Sequence, residues 1–182
     1  MLEDHQTPTI KGIFLNSHIA ALRKQKGDDA VAELEKRMGK KLEYGSSSDI
    51  PVSEEVHLIE HALGIIRGDQ ISEKDKAFEA GKLHFANFIT TPLARILFPV
   101  FRSQFKLLMI NANNIAGHVF KHVGFESKDL GEKSVKIIMH NNDYPIDHFR
   151  GLFHAWMEYS GLTGTVSAEQ TDHRYEYTIT WN

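Results

Sequence analysis

The stretch PIDHFRGLFHAWMEYSG at residues 145–161 decides the fold class, together with the segment that follows it. Its large apolar side chains recur at the spacing of one helix face: Phe149, Leu152, Phe153, Trp156 and Met157. Gly161 can end this helix, because glycine readily adopts the left-handed conformation that closes a helix. The segment TGTVSAEQTDHRYEYTITWN at 163–182 then alternates polar and apolar residues about a polar turn. The sequence therefore predicts a long helix followed by a terminal hairpin.

The patterns change from strand-like to helical toward the N-terminus. The segment SVKIIMH at 134–140 is rich in β-branched residues and predicts a strand of an earlier hairpin that begins near Phe125. Residues 1–124 instead show apolar side chains at helical spacing, with Ser53 and Ser72 as predicted N-caps. We therefore predict an α+β fold, in which N-terminal helices pack on a C-terminal antiparallel sheet made of hairpins, with one long intervening helix.

Composition limits the classes of function. The 182 residues suit a single domain, mainly helical over 1–124 and arranged as hairpin, helix and hairpin over 125–182. A net charge of -3 with both signs interspersed argues against a nucleic-acid partner, and the absence of cysteine excludes disulfides and thiolate metal sites. No run of about 20 apolar residues predicts a membrane span. Because the segment MLEDHQTPTIKG lacks the features of a secretory signal, we expect a cytoplasmic protein.

One motif resembles a zinc-protease helix. Within VHLIEHAL, His57, Glu60 and His61 form the pattern H-x-x-E-H, which places two histidines one helical turn apart beside a glutamate. The chain has 11 histidines, so chance produces such a pattern easily. Both histidines also lie opposite the apolar stripe of their own helix. A solvated helix face is the preferred interpretation, and a zinc-dependent hydrolase that uses His57, Glu60 and His61 is a remote alternative.

The other histidines give no clear catalytic group. His118 and His122 are four residues apart and could bind a metal if their stretch is helical, which Gly117 and Gly124 disfavour. His84, His148 and His154 flank apolar stripes and are interpreted as boundary residues.

Neither the pairs of acidic residues nor the common enzyme motifs indicate a catalytic site. Glu54 and Glu55 stand at a helix start, where acidic residues favour the positive helix end. The patterns G-x-S-x-G, G-x-x-x-x-G-K-[ST] and G-x-G-x-x-G do not occur. We therefore predict no catalytic residues and no metal site.

The order of several segments resembles a bacterial domain-of-unknown-function family that is abundant in myxobacteria. The segments are KGIFLNSHIAAL, SEEVHLIEHALGII, KAFEAGKLHFANFITTPLARIL, DHFRGLFHAWMEYSG and YEYTITW. Marks of the family in this chain are Lys11-Gly12, Ile50-Pro51, Gly81 with Phe85, Thr91, Arg150-Gly151 and Trp181. The resemblance spans nearly the whole chain and carries no known catalytic residue.

The plan of helices and hairpins also resembles a wider ligand-binding superfamily. It contains haem-nitric-oxide sensors, vinyl-reductase-type domains and trafficking (TRAPP-type) subunits with a lipid tunnel. The resemblance implies a hydrophobic ligand, or side chains that fill the same place, and it is an analogy of architecture. No cofactor is expected, and haem stays open as an alternative that requires an axial histidine on a cavity-facing position, with His84 and His118 best placed.

Two functions are compatible with these observations. The first is a non-enzymatic small-molecule-binding or sensory domain in bacterial signalling, with an apolar small molecule as its partner. The second is a protein-protein interaction or regulatory module without a ligand, which acts through a signalling-protein partner. A homodimer that forms through the N-terminal helices is compatible with both functions.

The chain has 11 phenylalanines, and some of them mark a candidate ligand pocket. Phe85, Phe88 and Phe101 lie on either side of the break at Thr91-Pro92, which opens a wedge between apolar helices. Trp156 is the side chain best suited to line or cap this wedge. We expect these four aromatic residues to form one hydrophobic cluster that borders any apolar pocket.

Overall fold

The computed structural model describes residues 6–68, 71–101, 104–171 and 174–182, and for residues 97–101 the backbone alone. The helices are α1 (Gly12–Lys26), α2 (Asp28–Met38), α3 (Val52–Arg67), α4 (Glu73–Phe88), α5 (Pro92–Phe101), α6 (Phe105–Ile110), α7 (Ala112–Val119) and α8 (Ile146–Tyr159). The strands are β1 (Thr9–Lys11), β2 (Asp49–Pro51), β3 (Phe120–Lys121), β4 (Gly124–Gly131), β5 (Ser134–His140), β6 (Gly164–Thr171) and β7 (Arg174–Trp181). The α+β prediction is confirmed.

The C-terminal sheet has the strand order β4-β5-β7-β6, and all of its neighbouring strands are antiparallel. Ile137 pairs with Tyr177 and Val135 pairs with Ile179, and all four side chains are fully buried. Alternation of this kind, which the sequence predicts for the last hairpin, gives the sheet one buried face. Helix α8 packs against β6 and β7 of this sheet.

A second sheet was not predicted. Its order is β2-β1-β3, and each strand has three residues or fewer. Ile10 of β1 is buried and pairs with Ile50 and Phe120, so the sheet joins the N-terminus to the segment just before β4. Alternation cannot be recognised over so few residues, because a strand signal needs about four or more.

The helix ends show which predicted caps are correct. Ser72 caps α4 as predicted, with its hydroxyl oxygen accepting a hydrogen bond from the backbone N–H of Asp75 at 3.2 Å. Ser53 was predicted as the cap of α3, and this was wrong, because α3 begins at Val52, directly after Pro51. No helix among the described residues has the length and apolar character needed to cross a membrane.

Helices α4 and α8 cross in backbone contact. A Cβ atom on Gly81 of α4 would lie 1.8 Å from the carbonyl oxygen of His148, and one on Gly151 of α8 would lie 2.0 Å from that of Phe78. Neither helix could approach the other so closely with a side chain at these positions. The crossing therefore places the buried residues of α4 directly against those of α8.

Candidate functional site

A buried carboxylate lies at the junction of α1, α3 and α4. Glu55 of α3 is 0% exposed, and its Oε1 atom lies 2.9 Å from His18 Nε2 on α1 and 3.8 Å from His84 Nε2 on α4. The hydroxyl of Tyr144, from the segment before α8, donates a hydrogen bond to Glu55 Oε2. Two imidazoles and a phenol thus surround one carboxylate away from solvent.

An outer layer of side chains holds the two imidazoles. The Nδ1 atom of His18 lies 2.9 Å from the side-chain amide nitrogen of Asn87 on α4. The Nδ1 atom of His84 lies 3.0 Å from Nε2 of His148 on α8. Asn87 and His148 are themselves buried. Both imidazoles therefore have one nitrogen fixed from behind and direct the other nitrogen toward the carboxylate.

Burial and charge act in opposite directions on the ionisable groups. Burial alone would raise the pKa of Glu55, but His84, His18 and the Tyr144 hydroxyl together hold this pKa down, at about 2. Burial lowers the pKa of His84 to about 4, although the Glu55 charge acts the other way. Burial, together with His84, lowers the pKa of His148 well below its ordinary value. His18, His84 and the Tyr144 hydroxyl therefore together favour an ionised Glu55, although burial opposes the proton on His84.

The phenol completes the electrostatics of the site. Burial and the negative charge of Glu55 raise the pKa of Tyr144 well above its ordinary value. Tyr144 therefore stays protonated and acts only as a hydrogen-bond donor to the carboxylate.

The arrangement is suited to holding a cation. Side-chain ligand atoms of His18, Glu55 and His84 all lie within 4.8 Å of one another, and this is the only group of three such residues found among the described residues. Imidazole and carboxylate together are ligands for Zn²⁺ and for iron(II). Without an ion, the same groups can share a proton through their hydrogen bonds.

An apolar cavity of about 60 Å³ adjoins this cluster. It lies between α4, α7, α8 and β4, and its lining is almost wholly apolar. His84 contributes to one wall, next to Phe88 of α4 and Trp156 of α8. Ala112 and Ala116 of α7 form part of the wall contributed by that helix. The cavity and the polar cluster therefore share the ring of His84.

The structure places the predicted pocket residues as follows. Phe85 stacks on Trp156 with ring centroids 5.6 Å apart, and Phe88 belongs to the same buried core. Phe88 and Trp156 line the 60 Å³ cavity, whereas Phe85 lines a different pocket of about 410 Å³, and both pockets are partly open to the surface. The side chain of Phe101 lies outside the described residues.

The histidines of the zinc-protease pattern lie on the solvent side of α3. His57 is exposed and His61 is partly exposed, while Glu60 lies 3.6 Å from the ammonium group of Lys76. No third ligand joins His57 and His61 in the part of the chain that the structure describes. The remote zinc-hydrolase alternative therefore has no support, and a solvated helix face accounts for the pattern.

The second predicted histidine pair fails for a different reason. His118 is on α7 and exposed, but α7 ends at Val119, and His122 has a positive φ of 65° beyond it. The two imidazoles are therefore not stacked one helical turn apart, and the metal pair that a continuous helix would create does not form.

Sequence reasoning missed the cluster itself. Glu55 was interpreted as a helix-start residue beside Glu54, and His84 and His148 were interpreted as boundary residues; all three are buried. A signal did exist. His18 lies four residues from both Phe14 and Leu22 on the buried face of α1, and Glu55 lies three and four residues from Leu58 and Ile59. A polar side chain within an apolar stripe indicates burial with a partner.

A family model described as a protein of unknown function (DUF2378) matches residues 5–182. The chain belongs to this family. The predicted resemblance to a domain-of-unknown-function family is thus confirmed, and no curated protein matches this DUF2378 member.

Solved structures with a similar fold come from haem-sensor domains, as the wider resemblance predicts. One is an oxygen-binding H-NOX domain related to soluble guanylate cyclases, in its oxygen complex, with a TM-score of 0.67 at 15% identity, covering 94% of this chain and 95% of that chain. A mutant of T. Tengcongensis H-NOX gives a TM-score of 0.64 at 16% identity, covering 94% and 97%. A structure from work on heme distortion in the H-NOX family gives 0.66 at 15% identity, covering 94% and 95%. At such identities the likeness shows that this DUF2378 chain has the H-NOX fold.

Proposed function

We propose that this DUF2378 chain is a non-enzymatic sensory domain that takes up a small apolar molecule in the cavity between α4, α7 and α8. The observation that carries the proposal is the 60 Å³ apolar cavity in a fold shared with H-NOX domains. Apolar cavities stay dry, and one of about 150 Å³ can bind benzene or xenon. A cavity of less than half that volume suits a diatomic gas or a single xenon atom.

The position of the cavity also favours a sensory role. Phe88 on α4 and Trp156 on α8 lie in its wall, and these helices carry His84 and His148 of the buried cluster. Occupancy of the cavity would press on both helices at their crossing. Because packed helices switch between discrete arrangements and do not deform continuously, a small movement of α4 against α8 would change the geometry of the buried cluster or of the protein surface. We propose that a signalling partner reads this change.

The described residues do not fit the haem that some of these H-NOX structures study. The cavity is about 60 Å³, whereas pockets for ligands and cofactors are commonly 300–1,000 Å³. His84 is the histidine that borders the cavity, and its Nδ1 atom lies 3.0 Å from His148 while its Nε2 atom faces Glu55. His118, the other axial candidate, is exposed on α7. No part of the proposal therefore involves haem.

A second candidate function follows from the small size of the same cavity. If 60 Å³ is only imperfect packing of the core, the chain acts through its surface as a protein-protein interaction or regulatory module. Tyr144 and Tyr177 are among the fully buried side chains of the core. The two functions differ in whether a small apolar molecule binds saturably in the cavity.

Xenon is the probe that distinguishes these functions. We expect amide resonances of α7 and the indole resonance of Trp156 to shift saturably when the full chain is equilibrated with xenon, as followed by ¹H–¹⁵N NMR. Ala116→Leu fills the cavity and should abolish the shifts, because Ala116 is part of its lining. Ala86→Leu is the matched control, since Ala86 is on α4 but outside this cavity.

The ligand-binding function and the interaction module predict different results in this experiment. Shifts that persist in Ala116→Leu, or an unshifted wild-type spectrum, would remove the support for a gas-sized ligand and favour the interaction module. A Soret band in the purified full chain would overturn the exclusion of haem.

A further inference from the structure

We propose that His18 Nε2, a carboxylate oxygen of Glu55 and His84 Nε2 bind a divalent first-row transition-metal ion, such as Zn²⁺ or Fe²⁺, where α1, α3 and α4 meet. This site does not depend on the proposed binding of a small apolar molecule. It uses side chains from three helices that are 2%, 0% and 3% exposed in that order.

The spacing of the ligand atoms fits such an ion. Zinc binds imidazole nitrogen and carboxylate oxygen at about 2.0–2.2 Å, so neighbouring ligand atoms around it lie about 3 to 3.5 Å apart. The measured separations are 2.9 Å from His18 Nε2 to Glu55 Oε1 and 3.8 Å from His84 Nε2 to the same oxygen. All three ligand atoms lie within 4.8 Å of one another, so side-chain shifts of about an ångström would complete the coordination.

Each proposed ligand is also supported from behind. Metal-binding histidines commonly use their second ring nitrogen in a hydrogen bond that fixes the ring and its tautomer. The amide nitrogen of Asn87 lies 2.9 Å from Nδ1 of His18, so metal binding through His18 Nε2 requires this amide to turn and present its oxygen as the acceptor. Nε2 of His148 lies 3.0 Å from Nδ1 of His84, and the hydroxyl of Tyr144 donates to the second oxygen of Glu55. Each proposed ligand therefore has a neighbouring polar group that can support it.

The hydrogen bond between His84 and His148 is compatible with metal binding when His84 is its donor. If His84 donates to His148, the Nε2 atom of His84 carries a lone pair that faces the carboxylate lone pairs of Glu55 at 3.8 Å. Two acceptors then face each other across a buried gap, which is unfavourable unless a cation lies between them.

The charge of the site also favours a bound cation. Among the described ion pairs, the partners of Glu55 are His18 and His84, with neither a lysine nor an arginine. A buried carboxylate needs a cationic or hydrogen-bonded partner, and a divalent ion would supply positive charge at this position.

The test uses the full chain after treatment with a chelator and titration with Co²⁺ and then Zn²⁺. We expect a visible Co²⁺ spectrum that saturates and is then displaced by Zn²⁺. Glu55→Gln should remove the spectrum, whereas Asn87→Ala, which removes a supporting contact, should weaken affinity about 10- to 100-fold. Circular dichroism of each variant shows whether it is folded.

Exposed histidines provide the matched control. The double variant His57→Ala/His61→Ala removes an exposed helical pair that could collect Co²⁺ adventitiously. The proposal requires this variant to keep the saturable spectrum. Loss of the spectrum in it, or its retention in folded Glu55→Gln, would overturn the proposal.

A measurement on the wild type covers the case in which Glu55→Gln does not fold. In ¹H–¹⁵N spectra of the histidine side chains, Zn²⁺ should shift the Nε2 resonances of His18 and His84 and leave that of His57 unchanged. Unchanged His18 and His84 resonances at saturating Zn²⁺ would show that the cluster is a metal-free hydrogen-bond network.

Discussion

Gly81 of α4 lies so close to the carbonyl oxygen of His148 on α8 that a Cβ atom at this glycine would be 1.8 Å from it. Three residues along α4, His84 contacts the side chain of the same His148 at 3.0 Å. The glycine therefore sets the helix separation at which the two imidazoles can meet. Packing of the fold and assembly of the candidate site depend on the same crossing.

Gly81→Ala should lower the free energy of unfolding by about 3 kcal/mol, at the upper end of the usual cost of overpacking. The clash is with backbone atoms, which cannot rotate away as a side chain could. Urea denaturation measures the change. Gly117→Ala is the control, because Gly117 is helical, exposed and has nothing within 4 Å of a built Cβ, so alanine should stabilise by about 0.5–1 kcal/mol. Equal effects of the two substitutions would contradict the close crossing.

The elements that could be predicted from sequence are those whose hydrophobic pattern extends over many residues. The stripe of α8 and the alternation of β7 each extend over eight residues or more, and both were predicted correctly. The strands of the second sheet have three residues or fewer, so their pairing depends on tertiary contacts that no local pattern encodes.

The cluster could not be predicted as a cluster for a related reason. His18, Glu55, His84 and His148 belong to four helices, and each is one polar residue within an apolar stripe. Such a residue indicates a buried polar contact, but the identity of the partner depends on which helices cross. Only the packing of α4 on α1, α3 and α8 brings the four side chains together.

Tyr144→Phe should lower the free energy of unfolding by about 1.5–3 kcal/mol, because it removes a hydrogen bond to a buried charged group. Tyr177→Phe is the matched comparison. Its hydroxyl donates to the neutral carbonyl oxygen of Ile146 at 3.0 Å, so the expected loss is about 0.5–1.5 kcal/mol. Chemical denaturation at pH 7 measures both. A larger loss in Tyr177→Phe would argue against an ionised Glu55.

The metal-free protein should lose stability as the pH falls from about 6.5 toward 4. Burial lowers the pKa of His84 from 6.5 to about 4, and it also lowers the pKa of His148. Between these values the unfolded chain binds protons that the folded chain does not, so acid favours unfolding. For each of these two histidines, the free energy of unfolding should fall by about 1.4 kcal/mol per pH unit, and for both together by about 2.7 kcal/mol per pH unit.

Denaturation series at several pH values test this slope on chelator-treated protein. His84→Gln should reduce the slope by about 1.4 kcal/mol per pH unit, because it removes one of the two histidines that bind a proton on unfolding. His154→Gln, which replaces a partly exposed histidine on α8, is the variant to which the slope of His84→Gln is compared. A slope that is insensitive to His84→Gln would show that His84 is not buried in its neutral form.

Trp156→Ala distinguishes packed core from ligand site in the aromatic region. Trp156 is 6% exposed, stacks on Phe85 at 5.6 Å and lines the 60 Å³ cavity. If the region is packed core, the substitution should lower the free energy of unfolding by about 3–5 kcal/mol, as removal of a large buried aromatic does. If the cavity holds a ligand, the stability cost should be smaller and the saturation curve for xenon should change, because the truncation enlarges the cavity. Leu107→Ala is a control, because Leu107 is 43% exposed and its truncation should change stability little. A Trp156→Ala protein as stable as the wild type, with an unchanged saturation curve for xenon, would contradict both roles for this side chain.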